Sequence, residues 1–368
     1  MALASLIRWT PLCAGVAACA GASSAATSAG APPQERLNNP ASQVYVQPEA
    51  GETHLRNIRQ LTFGGNNAEA YFSADGKKIV YQWQHKADEG CDQEYIMNVD
   101  GSDIRRVSNG RGRTTCGAFI DHDRRVLYSS TFKHDPACPP RPDMSKGYVW
   151  PLGNLEIYTS KLDGSDLRQL TDNGHYNAET TLSPDGKTLI FTSTKDGDIE
   201  LYTMRVDGSE VKRITNRVGY DGGAWFSPDG KKIIWRAAYP KTAADTADYL
   251  RLLGEKLVRP ARTELYIADA DGSHQTQVTS LGGANFAPIY SPDMKKIIFS
   301  SNYEQPRSGA FDLYLINPDG TGLEKITTHP DFDSFPMFSP DGRKLLWASN
   351  RNGKNKGDTN VFIADWVP

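Results

Sequence analysis

The sequence predicts an all-β fold, a six-bladed β-propeller made of four-stranded antiparallel blades. Three observations carry that expectation. A hairpin of the form WFSPDGKKIIW recurs as YFSADGKKIVY, TLSPDGKTLIF, IYSPDMKKIIF and MFSPDGRKLLW. A second hairpin, ELYTMRVDGSEVKRIT, recurs between the copies of the first, for example as EIYTSKLDGSDLRQLT and DLYLINPDGTGLEKIT. The composition agrees, because 33 Gly, 22 Pro and 38% hydrophobic residues describe a turn-rich chain.

Each unit therefore supplies four short strands, a to d. Proline presets φ in the first turn, and glycine takes the left-handed conformation without steric cost. The turn serine falls at Ser73, Ser183, Ser227, Ser291 and Ser339, and unit two is degenerate, CGAFIDHDRRVLYSS, with Ile120 in that place. The spacings of 47, 63, 44, 64 and 48 residues exceed a blade length of about 40–45 in units two and four. Insertions are expected there, at about 132–154 and 237–263. A lone four-stranded sheet cannot bury its faces, whereas radial stacking buries each against its neighbour. The sixth unit ends after strand c, in NVFIADWVP, while HLRNIRQLTF near the start matches the strand-d pattern. Residues 55–62 are thus expected to complete the last blade, within a propeller spanning 51–368.

The first fifty residues differ. MALASLIRWTPLCAGVAAC has one basic residue, Arg8, before a short apolar run, and reads as an export signal over 1–19. Val16-Ala17-Ala18-Cys19 resembles a bacterial lipobox, which would lipidate Cys19; cleavage after Ala20-Gly21-Ala22 is the competing reading. Residues 20–50 are expected to be a flexible tether. No run reaches the roughly 18 apolar residues of a membrane span, so membrane attachment is expected only through a lipid anchor. With 41 basic and 44 acidic residues the net charge is −3, which gives no electrostatic basis for a nucleic-acid partner. Outside the leader stand Cys91, Cys116 and Cys138. An oxidising compartment favours one disulfide among three pairings, with Cys91–Cys116 preferred.

Repeats of the form RQLT…SPDGKKI…ELYTMRVDGS resemble those of the TolB-like six-bladed β-propeller family over about residues 55–368. The resemblance implies an exported propeller that binds partners through its face and channel. TolB itself carries an α/β domain ahead of the propeller, where the present sequence places only its tether.

Residues sort by face. The a–b and c–d turns share one face, where Asp185, Asp229 and Asp341 are turn formers. The b–c and d–a connections share the other, the loop face, where function is expected. The unit-two insertion ends in Tyr148 and Trp150, suited to stacking on a sugar or anchoring a peptide. The unit-four insertion contains a helical pattern, Thr246 to Leu257, with Tyr249, Leu250, Leu253 and Leu257 on one face. Where strand a begins, the units carry Asn67, Thr114, Asn177, Asp221, Asn285 and Asp333; two positions on come Glu69, Cys116, Glu179, Gly223, Ala287 and Phe335. The first set is expected to ring the channel mouth and to offer oxygens to a polar ligand or a divalent cation, unless it closes the loops by bonding backbone groups. Glu69 and Glu179 are the better ligand candidates, with His175 as a third metal candidate. No GxSxG or HExxH motif occurs. The expected function is therefore non-catalytic binding of an envelope protein, peptide or saccharide by a monomer without a cofactor. The alternative is a metal-dependent lyase or lactonase-like enzyme acting on a polysaccharide or small ester.

Overall fold

The computed structural model describes residues 35–368, apart from 86–89, 141, 142, 144 and 146. The export signal, Cys19 and the tether as far as residue 34 lie outside the described residues. Six antiparallel sheets follow one another in chain order, with strand a innermost. Blade 1 comprises Asn66–Phe72, Lys78–Gln84, Gln93–Asn98 and Ile104–Arg106. Blade 2 comprises Thr114–Ile120, Arg125–Ser130, Glu156–Lys161 and Arg168–Gln169. Strands a of blades 3 to 6 are Asn177–Leu182, Tyr220–Phe226, Asn285–Tyr290 and Asp333–Phe338.

Six apolar clusters lie between neighbouring blades. Between blades 1 and 2, for example, Val80 and Ile96 meet Phe119, Val126 and Tyr128; between blades 3 and 4, Ile190 and Leu201 meet Ile233 and Trp235. The core is thus divided into wedges, and each sheet is buried only by its neighbours. The repeated turn owes its form to local bonds. Ser227 Oγ donates to Asp229 Oδ1 at 2.7 Å, and that oxygen also accepts from the Lys231 N–H at 3.1 Å. Equivalent bonds form at Ser73, Ser183, Ser291 and Ser339. These hydrogen bonds hold the turn carboxyls, Asp229 among them, below the usual carboxylate range. Degenerate blade 2 departs from this pattern: the Asp123 carboxylate instead accepts the N–H groups of Ala74 and Asp75 in blade 1, at 2.8 and 2.9 Å.

The ring closes as the sequence predicts. Leu55–Gln60 pairs antiparallel with Asn360–Trp366 and forms strand d of blade 6. The expected tether requires correction over 35–50. Arg36–Leu37 pairs with Ile104–Arg106 as a fifth strand of blade 1, and Tyr45 bridges Arg59 on blade 6. The Val46 N–H donates to Ile58 O and the Gln60 N–H to Val44 O, each at 2.9 Å. One segment therefore straps the outer edges of both blades at the closure. Its composition is poor in large apolar residues, yet an open sheet edge offers backbone partners that composition does not reveal. Glu52 is buried at its end, where it pairs with Arg351 and shares it with Asp333.

Candidate functional site

The first expected ring does not line the channel. Asn67, Thr114, Asn177, Asp221, Asn285 and Asp333 are all fully buried, and their side chains staple loops. Asn285 Nδ2 donates to Thr263 O at 2.8 Å and its Oδ1 accepts from Ser301 at 2.6 Å. Asn177 likewise donates to Leu155 O and accepts from Ser193, while Asn67 donates to the carbonyls of Gly64 and Thr359. Where the residue is aspartate, an indole donates instead: Trp235 to Asp221 at 2.7 Å and Trp347 to Asp333 at 3.0 Å. Burial pushes the Asp221 carboxyl up to about 7 against the bonds from Tyr239 and Trp235. Buried polar groups must find partners, and these residues find theirs within the protein, save for Asn67 Oδ1 and Asp221 Oδ2, which have none.

The second set lines the axis. Glu69, Cys116, Glu179, Gly223, Ala287 and Phe335 all have positive φ, between 49° and 64°, at a bulge repeated in every strand a. A bulge re-aims one side chain, here into a central cavity lined also by Tyr71, Trp225 and Arg236. The cavity is lopsided. Blades 1 to 4 contribute Glu69, Cys116, Glu179 and Arg236, whereas blades 5 and 6 contribute Ala287 and Phe335. Its free volume is about 30 Å³, room for roughly two waters.

Arg236 was not anticipated from the sequence. It lies on strand b of blade 4, Lys232–Ala238, and reaches the axis because Gly222 and Gly223 leave space. A Cβ on Gly223 would stand 2.8 Å from Arg236 Nη1, and one on Gly222 2.7 Å from Glu179 Oε2. The guanidinium donates to Glu179 Oε1 and to the Tyr220 hydroxyl, the latter at 2.6 Å. The signal was present: an Arg stands in WRA where other copies carry Gln, Ser, Thr or Ala, opposite a Gly-Gly that no other unit carries at that place in strand a.

Glu69 is otherwise placed. Burial pushes its carboxyl up to about 7; the Cys116 thiol and Arg236 pull down, and the charge of Glu179 pushes up again. Burial, with Glu69 and Glu179 nearby, raises the Cys116 thiol far above its ordinary value, which keeps it protonated and a poor nucleophile. Behind this wall Glu94 is fully buried with no hydrogen-bond partner on either oxygen, and burial raises its pKa well above the ordinary value. It fits only because residue 117 is glycine, where a Cβ would stand 2.0 Å from Glu94 Oε1.

The insertions join each other. Trp150–Pro151 from unit two pairs antiparallel with Leu257–Val258 from unit four, and Leu152, Val258, Ile199 and Tyr220 form a small core beneath. Cys91 is bonded to Cys138, with Cα atoms 5.5 Å apart, and Cys116 is free and buried. The expected Cys91–Cys116 bond is thereby corrected. Cys116 follows a bulge that directs it to the axis, and the disulfide instead ties the blade 1 loop to the unit-two insertion. The helix runs Ala243–Gly254, earlier than expected, because Thr242 caps it by accepting from the Asp245 N–H and Leu257 is drawn into the strand pair. Leu250 is exposed while Leu252 is buried. Tyr249 is not free for a ligand: its hydroxyl shares its one proton between two acceptors within hydrogen-bond distance, Asp198 Oδ1 and Gly219 O. Trp150 lies 5.3 Å above the Arg236 guanidinium and donates to the Tyr148 hydroxyl at 3.0 Å. Tyr148 itself is 64% exposed.

His175 is exposed on the d–a loop and does not join Glu69 and Glu179. Among the described residues the one group with metal-ligand spacing is His134, Glu156 and Asp172, with atoms within 4.8 Å of one another. Glu156 there already accepts from Thr171, Asn173, Gly174 and Asn177, and Asp172 pairs with Lys133 at 2.6 Å. No described helix is long and apolar enough to cross a membrane.

Among solved structures the chain is similar to TolB from Acinetobacter baumannii, at 19% identity and TM-score 0.53 over 82% of this chain. It spans 64% of that protein's length. It is also similar to an oligogalacturonate lyase in complex with manganese, at 14% identity and TM-score 0.52, covering 90% of this chain and 98% of that one. A gluconolactonase from Xanthomonas campestris aligns at 12% identity and TM-score 0.58, covering 91% and 99%. Such likenesses reach the fold alone, and one fold hosts many functions. No curated protein matches significantly by sequence. The model of the TolB beta propeller domain matches residues 141–246 and 258–357, more than half of the chain, and the protein belongs to that family.

Proposed function

We propose that the protein is an exported binding module that receives a protein partner on its loop face, on the ledge made by the two insertions. The observation that carries this reading is the pairing of insertions from two different blades into one braced surface that presents Tyr148. The ledge is held by a disulfide, a capped helix and its own apolar core, and rigid presentation lowers the ordering cost of binding. An exposed tyrosine supplies contact area at low entropic cost. The disulfide also fits an oxidising compartment. The axial cavity is far smaller than the roughly 300–1,000 Å³ that encloses a small-molecule substrate.

The test compares wild type with Tyr148→Ala as bait for envelope extracts. Capture of a discrete partner should fall at least about tenfold, the loss expected when an anchor residue at the centre of an interface is truncated, at unchanged melting temperature. Equal capture by both proteins would move the contact elsewhere. A metal-dependent enzyme is favoured only by the His134–Glu156–Asp172 group and by the manganese named for one neighbour. Saturable manganese binding that is lost in His134→Ala would support it.

A further inference from the structure

The axial cavity joins one under-used carboxylate to an apolar wall. Glu179 is paired directly with Arg236, whereas Glu69 is bonded only by the weak Cys116 thiol and feels Arg236 from farther off. Facing Glu69 from the same blade are Tyr71, Asp92 and Glu94, and from blades 2 to 4 Cys116, Glu179 and Arg236; Tyr176 and Tyr220 lie beside Glu179 and Arg236. Asp92 stands 3.3 Å from Arg113, and burial raises the Glu94 pKa well above its ordinary value. Glu69, Glu179 and Arg236 thus leave one negative charge in a space of about two waters. The same cavity is lined by Phe335, Ala287 and the Trp225 ring, surfaces that suit methylenes or a cation against an aromatic face. A dication would meet Arg236 and a single free carboxylate.

We propose that this cavity takes one primary ammonium group on an aliphatic stem, with Glu69 as its counter-ion and the Phe335 side receiving the stem. The proposal rests on the reading of the loop face as a partner platform, and the group it names on that partner is a lysine side chain. Binding of the ammonium requires ionised Glu69, so it strengthens as the pH rises through about 7.

The experiment titrates n-butylamine into the full protein by ligand-observed NMR, with n-butanol, tetramethylammonium and potassium chloride as controls at matched ionic strength. Saturable binding of butylamine is expected at pH 8, weaker by about tenfold at pH 6, and weaker by at least about tenfold in Glu69→Gln, whose fold is checked by its melting transition. Phe335→Ala, which keeps the carboxylate, should weaken butylamine but not methylamine. No saturable binding at pH 8, equal binding by Glu69→Gln, or an equal response to potassium would overturn the inference. Failure here with Tyr148-dependent capture intact leaves the ledge reading standing; amine binding with Tyr148-independent capture sinks the ledge and leaves the cavity assignment.

Discussion

The two faces of the ring are built from the same repeat but by different means. On the turn face, Ser–Asp bonds within a few residues fix the a–b hairpin of every blade but the second, and those at Ser183, Ser227 and Ser339 are near copies. On the loop face, partners come from far along the chain: Arg351 meets Glu52, Cys91 meets Cys138, and Trp150 pairs with Val258. Local bonds make copies interchangeable, whereas distant bonds make each blade an individual. The difference locates both the stability of the closure and the candidate site on the side where the copies disagree.

The largest test of that contrast is removal of residues 35–63, which takes away the strap and strand d of blade 6. One wedge of the core, including Leu55 and Ile58, would then lose one wall, and cooperative unfolding should vanish in calorimetry. A cooperative transition in the shortened chain would show that closure is dispensable. Next comes Arg351→Ala, which leaves the buried Glu52 and Asp333 without their cation and should cost about 3–5 kcal/mol in urea unfolding. Burial raises the Glu52 pKa, but hydrogen bonds and charge from Arg351 outweigh it and hold the carboxyl below its ordinary 4.5. Its contribution is present above that value and fades as the pH falls through the lower folded pKa, so the gap between variant and wild type should narrow in acid.

Glu69→Gln tests the axis in the opposite sense. A raised folded pKa stabilises fully below the unfolded value, and that stability is lost as the pH rises towards about 7. The variant should therefore be more stable than wild type at pH 8, on the order of 1–3 kcal/mol, with no gain at pH 4; a gain independent of pH would place the carboxyl in water. The smallest effect concerns the turn face. Ala74→Pro would make blade 1 look more like the other copies, yet proline cannot donate the N–H that Asp123 accepts. It should destabilise by about 1 kcal/mol, and a stabilised Ala74→Pro would mean that the turns are independent after all.

Much of the loop-face stapling was open to reading. Asp221 and Asp333, where the other copies carry Asn or Thr, each stand fourteen residues before a Trp, where the other copies carry Tyr or Phe. An acceptor placed for an indole donor explains that pairing, and it would have separated the stapling ring from the channel ring. Arg236 opposite Gly222-Gly223 was a similar mark. The strap over 35–46 carried no mark, because its backbone pairing admits nearly any side chain and the partners of its own side chains, Asp103 for Arg36 and Gln60 O for Ser42, lie far along the chain. The disulfide partner was equally hidden: three cysteines allow three pairings, and only a bulge geometry decides which thiol faces the axis.

The sequence by itself determined the repeat, the number of blades, the turns and the strand that closes the ring, since alternation and turn chemistry act over a few residues. Tertiary structure alone decided that the two insertions pair and that Glu69 is buried on the axis with no basic side chain bonded to it. Those outcomes depend on which distant groups share a volume, and on what burial costs a charge that has no partner there.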